Sequence, residues 1–270
     1  MIDNPRLNLR PLLETAHSLA DASAKVILPY FRKPIDIENK AAAGKPLDPV
    51  TAADKAAERA IRKYLAKAHP DHGILGEEYG AQAGDSPWQW VIDPIDGTKA
   101  FITGTPLWGT LIGLKHGERA VLGMMDQPFT GERIWADGKG AQWRLSSGKT
   151  KRIATRACKR LDEASLATTS PDLLAKGLET DVFTALKGKA RLTRYGGDCY
   201  GYCLLAAGHI DIIVECGLKP YDIVALIPII EQAGGRVTTW DGGPAEGGGR
   251  ILATGDATLH EAALKLIKRG

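Results

Sequence analysis

Between residues 109 and 146 the chain carries four strand-length apolar segments in succession: GTLIGLKHG, RAVLGMMDQP, GERIWAD and AQWRLSS. Gly, Pro and Asp residues separate them at short intervals, the pattern of an antiparallel meander. From about residue 150 the pattern changes. Strands are expected at 165 to 169, 190 to 194 and 210 to 214, with helices at 172 to 187, 199 to 207 and 221 to 233 following each in turn. Strands near 236 and 251 and a helix from 257 complete it. A meander followed by strand–helix alternation implies an α+β half, residues 1–148, joined to an α/β half, residues 149–270. A linker is expected near Gly148-Lys149-Thr150.

Upstream, residues 6 to 31 have helical period, with Leu12, Leu13, Ala16, Leu19, Ala20, Ala24, Ile27 and Leu28 on one face. Residues 35 to 48 are irregular: Lys40 and Lys45 flank AAAG, which suggests a mobile basic loop or hairpin. A second helix is expected from after Thr51 to about Ala68, with Ala53, Ala56, Ala60, Ile61 and Leu65 facing inward. Ile74 and Leu75 form a short strand that runs into Gly76-Glu77-Glu78.

Composition excludes several classes. The chain has 270 residues, 44% hydrophobic and 25% charged, enough for a large core. A net charge of +3, with Lys and Arg dispersed, does not suit nucleic-acid binding. No run of about 18 apolar residues is present, so no membrane span is expected. The first residues lack a signal-peptide core, and a cytoplasmic location is expected. Cys158, Cys199, Cys203 and Cys216 form no CxxC pair and read as buried thiols. The six histidines are scattered, which argues against zinc. The Gly-rich stretch at 241 to 250 lacks the GK[ST] ending of a phosphate loop and reads as a hairpin.

One stretch is unusual for a core strand. In WVIDPIDGTKAFITG, residues 90 to 104, an apolar run ends on Asp93 and Asp96. Two such carboxylates repel unless something positive lies between them. Other acids also stand at element ends: Asp48 and Asp54 around Pro-Val-Thr, Glu77 after a strand, and Asp222 opening a helix. Each alone is explained as a turn or helix cap. Together they suggest a site for a hard divalent cation, which takes oxygen ligands.

DPVTAAD (48 to 54), GEE (76 to 78), DPIDGTKAF (93 to 101) and YDIVALIPIIEQAGG (221 to 235) resemble, in order, the motifs of the inositol monophosphatase family. PLWGTLIGL, MMDQPFTGER, RYGGDCYGYCLLAAGHIDIIVE and GLKPYDIVALIPIIE resemble its histidinol-phosphatase branch. Tyr221 before Asp222, where many relatives have Trp, and Lys99-Ala100 after Gly-Thr, where inositol-type relatives often have Thr-Asn, favour histidinol phosphate over inositol phosphate.

The resemblance implies a layered α-β-α-β-α sandwich of the inositol monophosphatase and fructose-1,6-bisphosphatase type. It implies two to three Mg²⁺ ions. Glu77, Asp93 and the carbonyl of Ile95 would hold the first, Asp93, Asp96 and Asp222 the second, and Glu77 with water a weaker third. With two ions, one activates a water and the other stabilises the leaving oxygen. Thr98, oriented by Asp48, would hydrogen-bond the attacking water, and Glu77 would share in catalysis. The N–H groups of Gly97 and Thr98 at a helix start would seat the phosphate. Asp198, Glu215 and Asp222 would contact the substrate. Plainer readings stand beside these: a helix-start hydroxyl for Thr98, a solvated strand end for Glu215, an N-cap for Asp198.

The expected activity is hydrolysis of L-histidinol phosphate to L-histidinol and phosphate, in histidine biosynthesis. An inositol-1-phosphatase or broad sugar-phosphate phosphatase is the alternative, and a non-catalytic protein of the same fold a third reading. A homodimer is implied by the resemblance only.

Overall fold

The computed structural model of the protein describes residues 7–39 and 49–268. Asp48, Lys40 and Lys45 lie outside the described residues, as does most of the basic loop expected at 35 to 48.

The first half opens with helix α1 (Arg10–Ile27), a short strand pair β1 (Ile37–Asn39) and β2 (Pro49–Thr51), and helix α2 (Ala52–Ala68). Then come β3 (Gly73–Gly76), β4 (Gly80–Gln82), β5 (Trp88–Asp96) and the single-turn α3 (Thr98–Ile102). The expected meander follows as β6 (Gly109–His116), β7 (Arg119–Gln127), β8 (Glu132–Ala136), β9 (Ala141–Arg144) and β10 (Thr150–Ile153). The second half holds β11 (Ser165–Thr168), α4 (Leu178–Lys187), β12 (Leu192–Tyr195), α5 (Asp198–Ala206) and β13 (Ile212–Leu218). It ends with α6 (Pro220–Ile223), α7 (Leu226–Gln232), β14 (Arg236–Thr239), β15 (Gly249–Thr254) and α8 (Ala257–Ile267).

Two sheets organise the molecule. Eight strands pair in the order β10-β9-β8-β7-β6-β5-β3-β4, and five in the order β12-β11-β13-β15-β14. Strand β5 shows how the layers arise. Its side chains alternate, so Trp90 and Ile92 pack with α1 and α2 (Ala16, Leu19, Ile61, Leu65), while Val91 faces the other way. On that second face Leu111, Met125 and Ile134 meet Tyr202 and Cys203 of α5, Ile223 of α6 and Ile230 of α7. The same helices contact Ile213 and Ala253 of the five-stranded sheet. Leu166, Ile212 and Leu252 on its outer face are covered by α4 and α8. The result is five layers, α-β-α-β-α, as the family resemblance implies. The core between the two sheets, which takes residues from both, binds the halves together.

Several sequence expectations shift. The linker expected at 148 to 152 is largely strand: Thr150–Ile153 pairs with Arg144–Ala141, so the first sheet continues to Ile153. The helix expected at 172 to 187 is a short 3₁₀ turn at Pro171–Leu173 followed by α4. The helix expected at 221 to 233 divides into α6 and α7. On α2 the buried positions are Ala53, Asp54, Ala57, Glu58, Ile61 and Leu65, while Ala56 and Ala60 are only half-buried. Leu28 lies exposed beyond the end of α1. The Gly-rich stretch does join antiparallel β14 and β15, and all four cysteines are free and buried.

Candidate active site

Strand β5 does not end cleanly. Its register with β6 breaks between Asp93 and Asp96, where Pro94 has no N–H to give the ladder. The Asp93 carboxylate accepts the Ile95 N–H at 3.0 Å, and the Thr110 hydroxyl donates to the Pro94 carbonyl at 2.8 Å. This bulge carries Asp93 and Asp96 to the same side of the sheet edge. Gly97 follows with φ +83°, a left-handed backbone that glycine adopts without strain, and α3 starts at Thr98.

Asp93, Asp96 and Asp222 each present a carboxylate oxygen, all within 4.8 Å of one another. Glu77, at the end of β3, is in hydrogen-bond contact with Asp93. Asp222 reaches them because α6 abuts β5, and its carboxylate also accepts the Lys219 N–H at 2.7 Å. Asp96 accepts the Cys199 N–H of α5 at 2.7 Å. The turn and cap bonds considered for Asp93 and Asp222 therefore exist, whereas Asp96 does not cap the α3 that follows it but bonds the start of α5; all three bonds aim the carboxylates.

The electrostatics are those of concentrated negative charge. Asp93 is 2% exposed; burial pushes its carboxyl well above the usual carboxylate range, and Glu77, Asp96 and Asp222 push it the same way. Asp96 is raised by burial and by Asp198 and Asp222, with the Cys199 contact pulling back. Among the described residues no Lys or Arg lines the cavity. Buried carboxylates without a cation among them are costly, and an oxygen-only donor set of this kind fits a hard divalent ion.

The cavity, of about 170 Å³, is lined by Glu77, Asp93, Ile95, Asp96, Gly97 and Thr98 from the first half. Thr169, Asp198, Tyr202, Glu215 and Asp222 line it from the second. Thus every site residue expected from the sequence within the described residues converges on one cavity; Asp48 lies outside them. Thr98 donates its hydroxyl to the Ile95 carbonyl at 3.1 Å.

Two plainer readings fail. Glu215 is not a solvated strand end: it is 3% exposed, its carboxylate accepts the Thr169 N–H at 2.6 Å, and burial raises it to about 7. Asp198 is not an N-cap. Gly197 holds that position, the first-turn N–H of Cys199 goes to Asp96 instead, and Asp198 begins the helix with φ +42°, strained for a residue with a Cβ. Its side chain lies over Gly97, where a Cβ would come 3.1 Å from the Asp198 Cβ. Burial raises the Asp198 carboxyl to about 6, against the pull of nearby Lys99.

Sequence reading missed Thr169 and Tyr202. The Tyr202 hydroxyl is buried with no hydrogen-bond partner among the described residues, and its neighbouring charges are Glu215, Asp96 and Asp222. One signal was available: Tyr202 stands four residues after Asp198, one helical turn along the same face.

A five-layered α/β fold with a carboxylate cluster at the strand ends defines a class of metal-assisted phosphatases. Comparison with known proteins narrows it: residues 8–269 match the model of the inositol monophosphatase family, and the chain belongs to that family. It is 41% identical over 263 residues to the chloroplastic bifunctional phosphatase IMPL2 of Arabidopsis thaliana, covering 93% of this chain and 73% of that one. It is 36% identical to the histidinol-phosphatase of Streptomyces coelicolor, covering 95% and 97%. The structure of an inositol monophosphatase from Zymomonas mobilis superposes with a TM-score of 0.85 at 42% identity, covering 97% of this chain and 100% of that one. Among the described residues no helix is long and apolar enough to cross a membrane.

Proposed function

We propose that this phosphatase is a Mg²⁺-dependent phosphomonoesterase that hydrolyses L-histidinol phosphate to L-histidinol and phosphate. One observation carries the substrate choice. Beyond the acids that a metal would engage, the cavity holds Asp198 and the buried Glu215. Inositol and sugar phosphates offer these two acids hydroxyl donors but no counter-charge, and their phosphate adds negative charge to the cavity. An ester bearing an ammonium and an imidazole supplies the missing positive charge, and a charge-assisted hydrogen bond inside a buried pocket is stronger than one on the surface. The similarity to a histidinol-phosphatase supports the same reading.

Glu77, Asp93, the Ile95 carbonyl, Asp96 and Asp222 would hold two Mg²⁺ ions, with a weaker third against Glu77. Bound there, Mg²⁺ supplies an activated water and a counter-charge for the phosphate oxygens. Thr98, with Asp48, would orient that water, and the Gly97 and Thr98 amides would receive the phosphate. Glu215 would hold the substrate amine and Asp198 its polar end. Family resemblance supports a homodimer, which sedimentation would detect as twice the chain mass.

A phosphate-release assay with histidinol phosphate, inositol 1-phosphate and fructose 1,6-bisphosphate tests the assignment. The highest kcat/KM is expected for histidinol phosphate. Similarity to the Zymomonas mobilis inositol monophosphatase keeps a second reading open, inositol-1-phosphatase or a broad sugar-phosphate phosphatase. A kcat/KM for either other ester equal to or above that for histidinol phosphate would establish it.

A further inference from the structure

Glu58 lies within α2 among buried positions, and its side chain is 0% exposed. A buried carboxylate costs free energy unless its oxygens are satisfied. One oxygen accepts the Glu78 N–H at 2.7 Å; the other accepts the Tyr79 N–H at 3.2 Å and the Arg62 Nε at 2.7 Å. Arg62 continues to the Gly80 carbonyl. Immediately before Glu77, Gly76 leaves room for this carboxylate: a Cβ there would come 2.0 Å from Glu58 Oε1. Glu77 itself donates its N–H to the Ile92 carbonyl at 3.2 Å, against the strand that bears Asp93.

The backbone on each side of Glu77 is therefore fixed, by β5 before the turn and by Glu58 after it. An apolar residue would fill the inner face of α2 equally well if packing were all that mattered. What an apolar residue could not do is hold two consecutive amides of a turn. We propose that Glu58, braced by Arg62, is a positioning residue for Glu77: it sets the Gly76–Tyr79 turn so that the Glu77 carboxyl meets that of Asp93, and thereby sets the affinity for the divalent ion. The inference rests on Glu77 being a metal ligand, as proposed above. Partners that orient metal ligands typically contribute about 10- to 100-fold in affinity.

Calorimetric titration of the metal-free 270-residue chain with Mg²⁺ tests it. Glu58→Gln keeps the shape but turns an NH₂ group toward an N–H donor. Binding about 10- to 100-fold weaker is expected. Gly76→Ala, which displaces the same carboxylate from the other side, should weaken binding in the same direction. Arg62→Gln, at the half-buried outer end of the brace, should fold and show a smaller loss. In a Glu77→Gln background, Glu58→Gln should change the affinity by less than about twofold, because its effect passes through Glu77 and the two changes are then not additive. Wild-type Mg²⁺ affinity in Glu58→Gln alongside a loss in Glu77→Gln overturns this proposal alone. An equal loss from Glu58→Gln in both backgrounds also overturns it, since the effect would then pass through the fold. Unchanged affinity in Glu77→Gln overturns the ligand reading of Glu77 and this proposal with it.

Discussion

Asp93 is the residue on which the acidic cluster turns: it touches Glu77 and lies with Asp96 and Asp222. Asp93→Asn removes the charge that two ions would share, and activity should fall by more than about a hundredfold even at saturating Mg²⁺. Turnover near wild type would remove the two-ion assignment. Glu215 makes the complementary case. Loss of a charged hydrogen-bond partner costs roughly 1.5–3 kcal/mol, about one to two powers of ten in kcat/KM. Glu215→Gln should impose that loss on histidinol phosphate and leave p-nitrophenyl phosphate largely unaffected. The ratio of kcat/KM for the two substrates is the measurement. An equal fall would place Glu215 in the shared phosphate chemistry or in folding.

At the scale of elements, the division between α6 and α7 falls where Pro228 cannot bond the Val224 carbonyl, and its packing has a consequence for the site. The junction Val224–Ala225 lies directly on β6 and β7: a Cβ at Gly113 would meet Val224 Cγ1 at 2.8 Å, and one at Gly123 would meet the Ala225 carbonyl oxygen at 1.8 Å. This close approach brings α6, and with it Asp222, down to β5. Gly123→Ala should cost about 1–3 kcal/mol or more by overpacking and lower the melting temperature by several degrees. Gly247→Ala, with nothing within 4 Å, is the control and should melt like wild type. The meander and the strand–helix alternation were legible because period-2 and period-3.6 apolar patterns are local. The divided helix had one local signal, Pro228, which has no N–H for the Val224 carbonyl one turn back, where the break falls; the apolar run around it hides that signal, and the strands beneath set how closely the junction packs.

For the whole molecule, the acidic cavity couples metal binding to pH. Asp93, Asp96, Asp198 and Glu215 all have raised native-state values, Asp198 to about 6 and Glu215 to about 7. The metal-free native protein thus binds more protons than the unfolded chain above pH ~4, and these groups lower its stability as pH rises. Mg²⁺ requires the ionised forms and should reverse that contribution. The rise in melting temperature on adding Mg²⁺ should therefore be largest near pH 8 and shrink toward pH 5. His17 and His260, both lowered to about 4 mainly by burial, affect metal-free and loaded protein alike and cancel in this difference. A metal-induced rise that is flat from pH 5 to 8 would show that the cluster is already ionised without metal.

What the sequence determined by itself was most of the elements and the inventory of acids at their ends. Apolar periodicity and turn residues act over a few positions, and the motif order identified the family. Tertiary structure decided which of those acids act together. Asp96 and Asp198 are 102 residues apart in sequence, yet the Asp96 carboxylate accepts the N–H of the residue after Asp198. It also decided what no local pattern encodes. Glu58 in KAAERAIRK carries no local signal of burial, and the packing of α2 against the β3–β4 turn buries it. Glu215 reads as a strand end until the Thr169 amide encloses it. Burial and the partners it enforces depend on which elements meet across the layers, and that is settled by the packing of the whole chain.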